Sequence, residues 1–121
     1  MTENLGQKGE ELARDYLRRQ GYRILAQNFR TRFGEIDLIA TKEGLIIFVE
    51  VKTRIGQENF GQAEWALSKR KIRQVQRLAE VYLTKNQLEY QGLRIDAITI
   101  ILSPEGKIVN FQHWQNLTTE I

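Results

Sequence analysis

GEIDLIA at 34–40 and FVEVKTR at 48–54 decide how this chain folds. Both read as β-strand, yet acids interrupt them: Glu35 and Asp37 in the first, Glu50 in the second, with Lys52 two residues on. Closing the pair on a two-residue turn at Glu43-Gly44 makes an antiparallel hairpin. Lys42 then lies opposite Leu45, and the register runs down to Asp37 opposite Glu50 and Glu35 opposite Lys52. Residues two apart share a face of a strand, so these four side chains are expected to project together.

Opposed Cβ atoms stand roughly 4.5–5.5 Å apart, near enough for two carboxylates to hold one metal ion. Like charges facing each other destabilise a sheet unless something compensates, and a hard divalent cation does so. Mg²⁺ takes one or two carboxylates, completing its shell with water and phosphate oxygens. Lys52 can orient an attacking water or stabilise charge on a phosphate. The array suits metal-assisted phosphodiester hydrolysis. The bland alternative is a solvated ladder in which Glu35 pairs with Lys52.

Outward from the hairpin, Leu5, Gly9, Leu12, Ala13, Tyr16 and Leu17 fall on one helical face, predicting a helix from Gly6 to Gln20 that stops at Gly21. YRILAQNFRT (22–31) reads as a first, edge strand, followed by strands at 35–42 and 45–54. Ser68 caps a helix reaching Asn86, with Ile72, Val75, Leu78, Ala79, Tyr82 and Leu83 inward. RIDAITIIL (94–102), a Pro-Glu-Gly turn at 104–106 and KIVNFQHW (107–114) complete the chain. The order α-β-β-β-α-β-β predicts an α/β fold, a mixed β-sheet flanked by helices. Residues 55–67, with two glycines, are expected to form a loop over one end of the sheet.

Its 121 residues suit one domain, 1–121, with an ordinary balance of 41% apolar and 27% charged residues. The apolar runs are too short for a membrane span, the first residues lack an apolar leader core, and there is no cysteine. A cytoplasmic protein without membrane association is expected. The net charge of +3 is compatible with a polyanionic partner but decides nothing alone.

An Asp followed by a strand carrying Glu-x-Lys resembles the active-site pattern of the PD-(D/E)xK nuclease superfamily, with its restriction-endonuclease-like fold. Gly6-x-x-Gly9-Glu10-x-x-Ala13-x-x-Tyr16-Leu17, Gly21-Tyr22, Asn28-x-Arg30, Gly34 to Ile39 and Phe48 to Arg54 more closely resemble the YraN-like bacterial family. That match spans Gly6 to about Leu83, with a weaker echo at Arg94-Ile95-Asp96; Gly34-Glu35 stands where the superfamily pattern has Pro. The order of helix Glu, Asp and Glu-x-Lys is also similar to archaeal Holliday-junction resolvases. The resemblance implies an endonuclease acting on DNA, including branched or structured DNA, with Mg²⁺ or Mn²⁺ held by Asp37, Glu50 and the Val51 carbonyl. Lys52 would assist catalysis. It also implies that a first-helix acid joins them. Glu10 borders the apolar stripe beside Leu17 whereas Glu11 faces away, which favours Glu10; a helix-start acid favoured by the dipole is the alternative.

Lys69, Arg70, Arg73 and Arg77 share an arc of about 100° on the second helix, and Arg30, Arg32 and Arg54 bracket the hairpin. They could hold nucleic-acid phosphates without reading sequence, or form a solvated face. Phe33, Phe60 and Trp65 are expected to pack in core or loop rather than stack on bases. His113 has no acidic neighbour at ligand spacing and reads as structural or solvated, and Asp96 has no derivable role. No Walker-type phosphate loop is present. The resolvase resemblance implies a homodimer without identifying its interface. A DNA-binding or assembly module without turnover, and a purely structural fold, are the other two readings.

Overall fold

The computed structural model describes residues 4–56 and 68–117. Helix α1 (Leu5–Arg19) starts where the Asn4 side chain accepts a hydrogen bond from the Gln7 N–H at 2.8 Å. Strands β1 (Arg23–Thr31), β2 (Gly34–Lys42) and β3 (Leu45–Ile55) follow. Helix α2 (Lys69–Asn86) is capped by Ser68 accepting from the Lys71 N–H. Strands β4 (Gly92–Leu102) and β5 (Ile108–Trp114) end the sequence of elements. The expected order holds, and element boundaries move by two residues or fewer.

All five strands form one sheet in the order β1-β2-β3-β4-β5. Only β3 and β4 run parallel, because α2 carries the chain from the end of one to the start of the other. The β2–β3 turn has Glu43 at φ 52° and Gly44 at φ 83°, the doubly left-handed turn that matches strand twist. Strand β1 lies at an edge, as its sequence predicts.

The two faces of the sheet bury separate cores. On one, Ile39, Ile46, Phe48 and Ile95 pack beneath the Ile72, Val75, Leu78 and Tyr82 stripe of α2. On the other, Leu38, Ala40, Ile47, Val49, Ile98 and Ile100 pack beneath Ala13 and Leu17 of α1. Gly9 brings α1 close to β3: a Cβ there would overlap Thr53 Oγ1. Among the described residues no helix is long and apolar enough to cross a membrane. The segment expected to be a loop at 55–67 lies outside the described residues beyond Gly56, as do Phe60 and Trp65.

Strand β2 changes faces in its middle. Leu38 and Ala40 serve the α1 core, yet Ile36, two residues before Leu38, serves the α2 core. Straight alternation would put Ile36 and Leu38 on one face. The neighbouring strand turns with it: Gln27 pairs with Leu38 and Phe29 with Ile36, while Asn28 between them adopts φ 52°. Asparagine tolerates that left-handed conformation better than a bulky residue would. Asp37 occupies the turning point.

Candidate active site

The expected hairpin register is present from Lys42↔Leu45 to Leu38↔Val49, and there the ladder ends. Beyond it β2 parts from β3, so Asp37 and Glu50 are not ladder partners and Glu35 does not oppose Lys52. Instead Asp37 reaches sideways: its Oδ2 accepts the Val51 N–H at 2.8 Å. A carboxylate thus replaces the missing backbone acceptor and closes the gap. Glu35 turns away to Arg30, whose Nε lies 3.2 Å from its Oε2.

Asp37 and Glu50 still lie close enough for the Asp37 charge to act on Glu50. Glu50 is 8% exposed, and its Oε1 is buried without a hydrogen-bond partner. Its Oε2 lies 3.8 Å from Lys71 Nζ on α2. Burial first, and then the Asp37 charge, push Glu50 up to about 8, against the pull of Lys71 and Lys52. Burial also raises Asp37, opposed by the Val51 N–H. At neutral pH the pair therefore keeps a proton that two solvated acids would have released.

Glu10 approaches from the α1 side. It is half-buried, whereas Glu11 is exposed. Burial and the Asp37 charge raise its pKa, while a hydrogen bond from the Asn28 side chain lowers it. Lys71 approaches from the α2 side, so Asp37, at the turning point, faces groups from both layers. Lys52 is exposed and lies close enough to Glu50 to favour its ionised form.

Among the described residues no three His, Cys, Asp or Glu side chains converge as a metal-binding group. A hard divalent ion does not need three, since water and phosphate oxygens complete its shell. Two adjoining carboxyls and a buried carboxylate oxygen with no partner fit such an ion.

The basic residues divide. Lys69, Arg70, Arg73 and Arg77 are exposed along α2, and Arg70, Arg73 and Arg77 line a groove of about 600 Å³ with Lys71, Gln74 and Phe33. Arg32 lies over the Phe33 ring, Arg30 is held by Glu35, and Arg54 is half-buried near the end of β3. Phe33 is not packed in the core: it is 44% exposed.

Sequence reasoning overlooked Lys71 and Asn28. Lys71 had a signal, since it precedes Val75, Leu78 and Tyr82 by four, seven and eleven residues and so continues the buried stripe. Of the two readings of His113, the structure shows the structural one: its side chain is enclosed, its Nε2 lies 2.8 Å from Asp96 Oδ2 and its Nδ1 meets the Tyr16 hydroxyl at 2.9 Å. Asp96, fully buried, also accepts two bonds from Arg94 and one from the Asn116 N–H. Burial pushes Asp96 up, but these donors outweigh it and its pKa lies below the ordinary value. The role of Asp96 is to tie β4, β5 and α1 together.

The description "Uncharacterised protein family UPF0102" matches residues 9–100. A UPF0102 protein of Dictyoglomus turgidum is 37% identical over 115 residues, covering 95% of this chain and 97% of the relative. Those of Persephonella marina and Syntrophomonas wolfei are each 43% identical, over 79% and 88% of this chain and 82% and 91% of their own lengths. With most of its length matched on both counts, this chain belongs to the UPF0102 family, the YraN-like family of the sequence resemblance.

Proposed function

We propose that the protein is a Mg²⁺- or Mn²⁺-dependent endonuclease of PD-(D/E)xK type, with a restriction-endonuclease-like fold, that hydrolyses DNA phosphodiester bonds at branched or otherwise structured sites. The observation that carries this reading is the buried Glu50 carboxyl, with one unpartnered oxygen, beside the half-buried Asp37. Protein cores do not keep two acids together without a compensating group. Asp37, Glu50 and the Val51 carbonyl, with Glu10 beside Asp37, would hold the ion, which when bound polarises the phosphate and acidifies a water. Lys52, on the solvent side of Glu50, orients that water or steadies charge on the phosphate. Arg54 and the α2 cations hold the flanking backbone.

A second reading, a DNA-binding module without turnover, is favoured because, among the described residues, Glu10 does not converge with Asp37 and Glu50 into a group of three acids. Two measurements separate them. Mn²⁺ should raise the melting temperature of the wild type and not of an Asp37→Asn/Glu50→Gln double variant. Nicked, linear and four-way DNA should be cut in Mg²⁺ or Mn²⁺ by the wild type alone. Cleavage that survives in the double variant would place the chemistry elsewhere; DNA binding with neither metal uptake nor cleavage would favour the second reading.

A further inference from the structure

The β1–β2 turn presents an aromatic ring, Phe33, outside both cores. Arg32 and Phe33 form a two-residue connection between Thr31 and Gly34, which pair with each other. The Phe33 backbone is fixed on both sides: its N–H donates to Thr31 Oγ1 at 3.0 Å, and its carbonyl accepts from Gln74 Nε2 of α2 at 2.7 Å. The ring itself remains 44% exposed. The guanidinium carbons of Arg32 and Arg77 stand 5.0 Å and 5.6 Å from its centroid.

A rigidly mounted, half-exposed aromatic costs little side-chain entropy to use in binding. The groove it borders carries Arg70, Lys71, Arg73 and Arg77. Lys71 is common to the groove and to the acid pair, which it touches through Glu50. Gln74, which holds the Phe33 carbonyl, is three residues from Lys71, a rise of roughly 4.5 Å along the helix. Phe33 precedes Asp37 by four residues, at most roughly 13 Å of strand. The ring, the cations and the acids therefore line one continuous track. A fully paired duplex offers phosphates to such a track but keeps its base faces stacked internally. Unpaired nucleotides offer both.

We propose that Phe33 is a stacking platform for an unpaired base, and that the DNA taken by this site carries unpaired nucleotides beside the phosphate held at Asp37 and Glu50. Arg70, Arg73 and Arg77 contact the neighbouring phosphates. This inference rests on the nuclease reading for the position of the acids, and its test does not depend on cleavage.

The full-length chain is titrated, in chelator, with fluorescent DNA duplexes that are either fully paired or interrupted by three unpaired nucleotides containing 2-aminopurine. The wild type should prefer the interrupted duplex and quench the 2-aminopurine. Phe33→Ala should lower affinity for the interrupted duplex about 10-fold more than for the paired one and relieve the quenching. Phe33→Trp should restore both. Equal losses on the two DNAs, unchanged quenching in Phe33→Ala, or a wild-type preference for paired DNA would overturn the inference. Metal-dependent cleavage by the wild type alongside any of those results leaves the nuclease reading standing while the platform falls. Discrimination through Phe33 without cleavage in any divalent ion does the reverse.

Discussion

The Val51 N–H donates to Asp37 Oδ2 at 2.8 Å across the gap where β2 leaves β3. One side chain thus does two jobs, since it completes the hydrogen bonding of a strand and brings a second charge to Glu50. Asp37→Asn separates them. The amide oxygen can still accept from Val51, and without the Asp37 charge Glu50 is less forced to hold its proton, so the melting temperature at pH 7 should hold or rise. On the proposed endonuclease reading, cleavage should fall by about 100-fold or more, because the charge proposed to help hold the ion is lost. Thermal unfolding and a gel-based cleavage assay read the two effects on one preparation.

Glu50 gives the stability a pH dependence of defined sign. Its folded pKa of about 8 lies above the unfolded value of 4.5. Between those values the native state retains a proton that the unfolded chain releases, so stability falls as pH rises from about 4.5 to 8. The loss should be on the order of a few kcal/mol. Urea unfolding in chelator across this window should show that slope in the wild type and a much flatter profile in Glu50→Gln. A wild type with no slope would mean that Glu50 is not buried in solution.

Asp96 should behave in the opposite way. Its lowered pKa makes its contribution complete at neutral pH and lost in acid, as pH falls through the folded value. Asp96→Ala strands Arg94 and His113 without their acceptor, at a cost of about 3–5 kcal/mol. Cleavage per folded molecule should be unaltered, because the Asp96 network has no contact with Asp37 or Glu50 among its hydrogen bonds. Chemical denaturation with activity normalised to folded fraction checks both halves.

Gly9→Ala tests the seating of α1. The added methyl group meets Thr53 in β3, and relieving the overlap requires α1 to move outward. Overpacking of this kind costs about 1–3 kcal/mol. Because Glu10 is the next residue, cleavage should drop more than in Glu11→Ala, whose side chain is exposed. Parallel melting and cleavage curves for the two variants decide it.

Much of the fold was legible because it depends on short-range patterning. The Ile72 to Leu83 stripe, the Glu43-Gly44 turn and the alternation of β3 all announce themselves within a few residues. The site was legible in its membership and not in its arrangement. Extrapolating the hairpin past Leu38 assumes uniform alternation, and the left-handed Asn28 on a different strand breaks that assumption. Nothing local to Asp37 reveals that its carboxylate substitutes for a backbone acceptor. The Asp96–His113 contact was hidden for a related reason: it joins residues seventeen apart through the β4–β5 pairing, and neither has a telling neighbour in sequence.

The exchange of faces at Asp37 also constrains how this hairpin can vary in length. Deleting one residue on either side of the exchange would send the side chains of that arm into the opposite core, crowding one layer and leaving a hole in the other. Matched additions to both arms at the Glu43-Gly44 tip leave the register from Lys42 and Leu45 inward unchanged. The placement of Asp37 relative to Glu50 is thus constrained by the filling of two oily layers, before any demand of chemistry is considered.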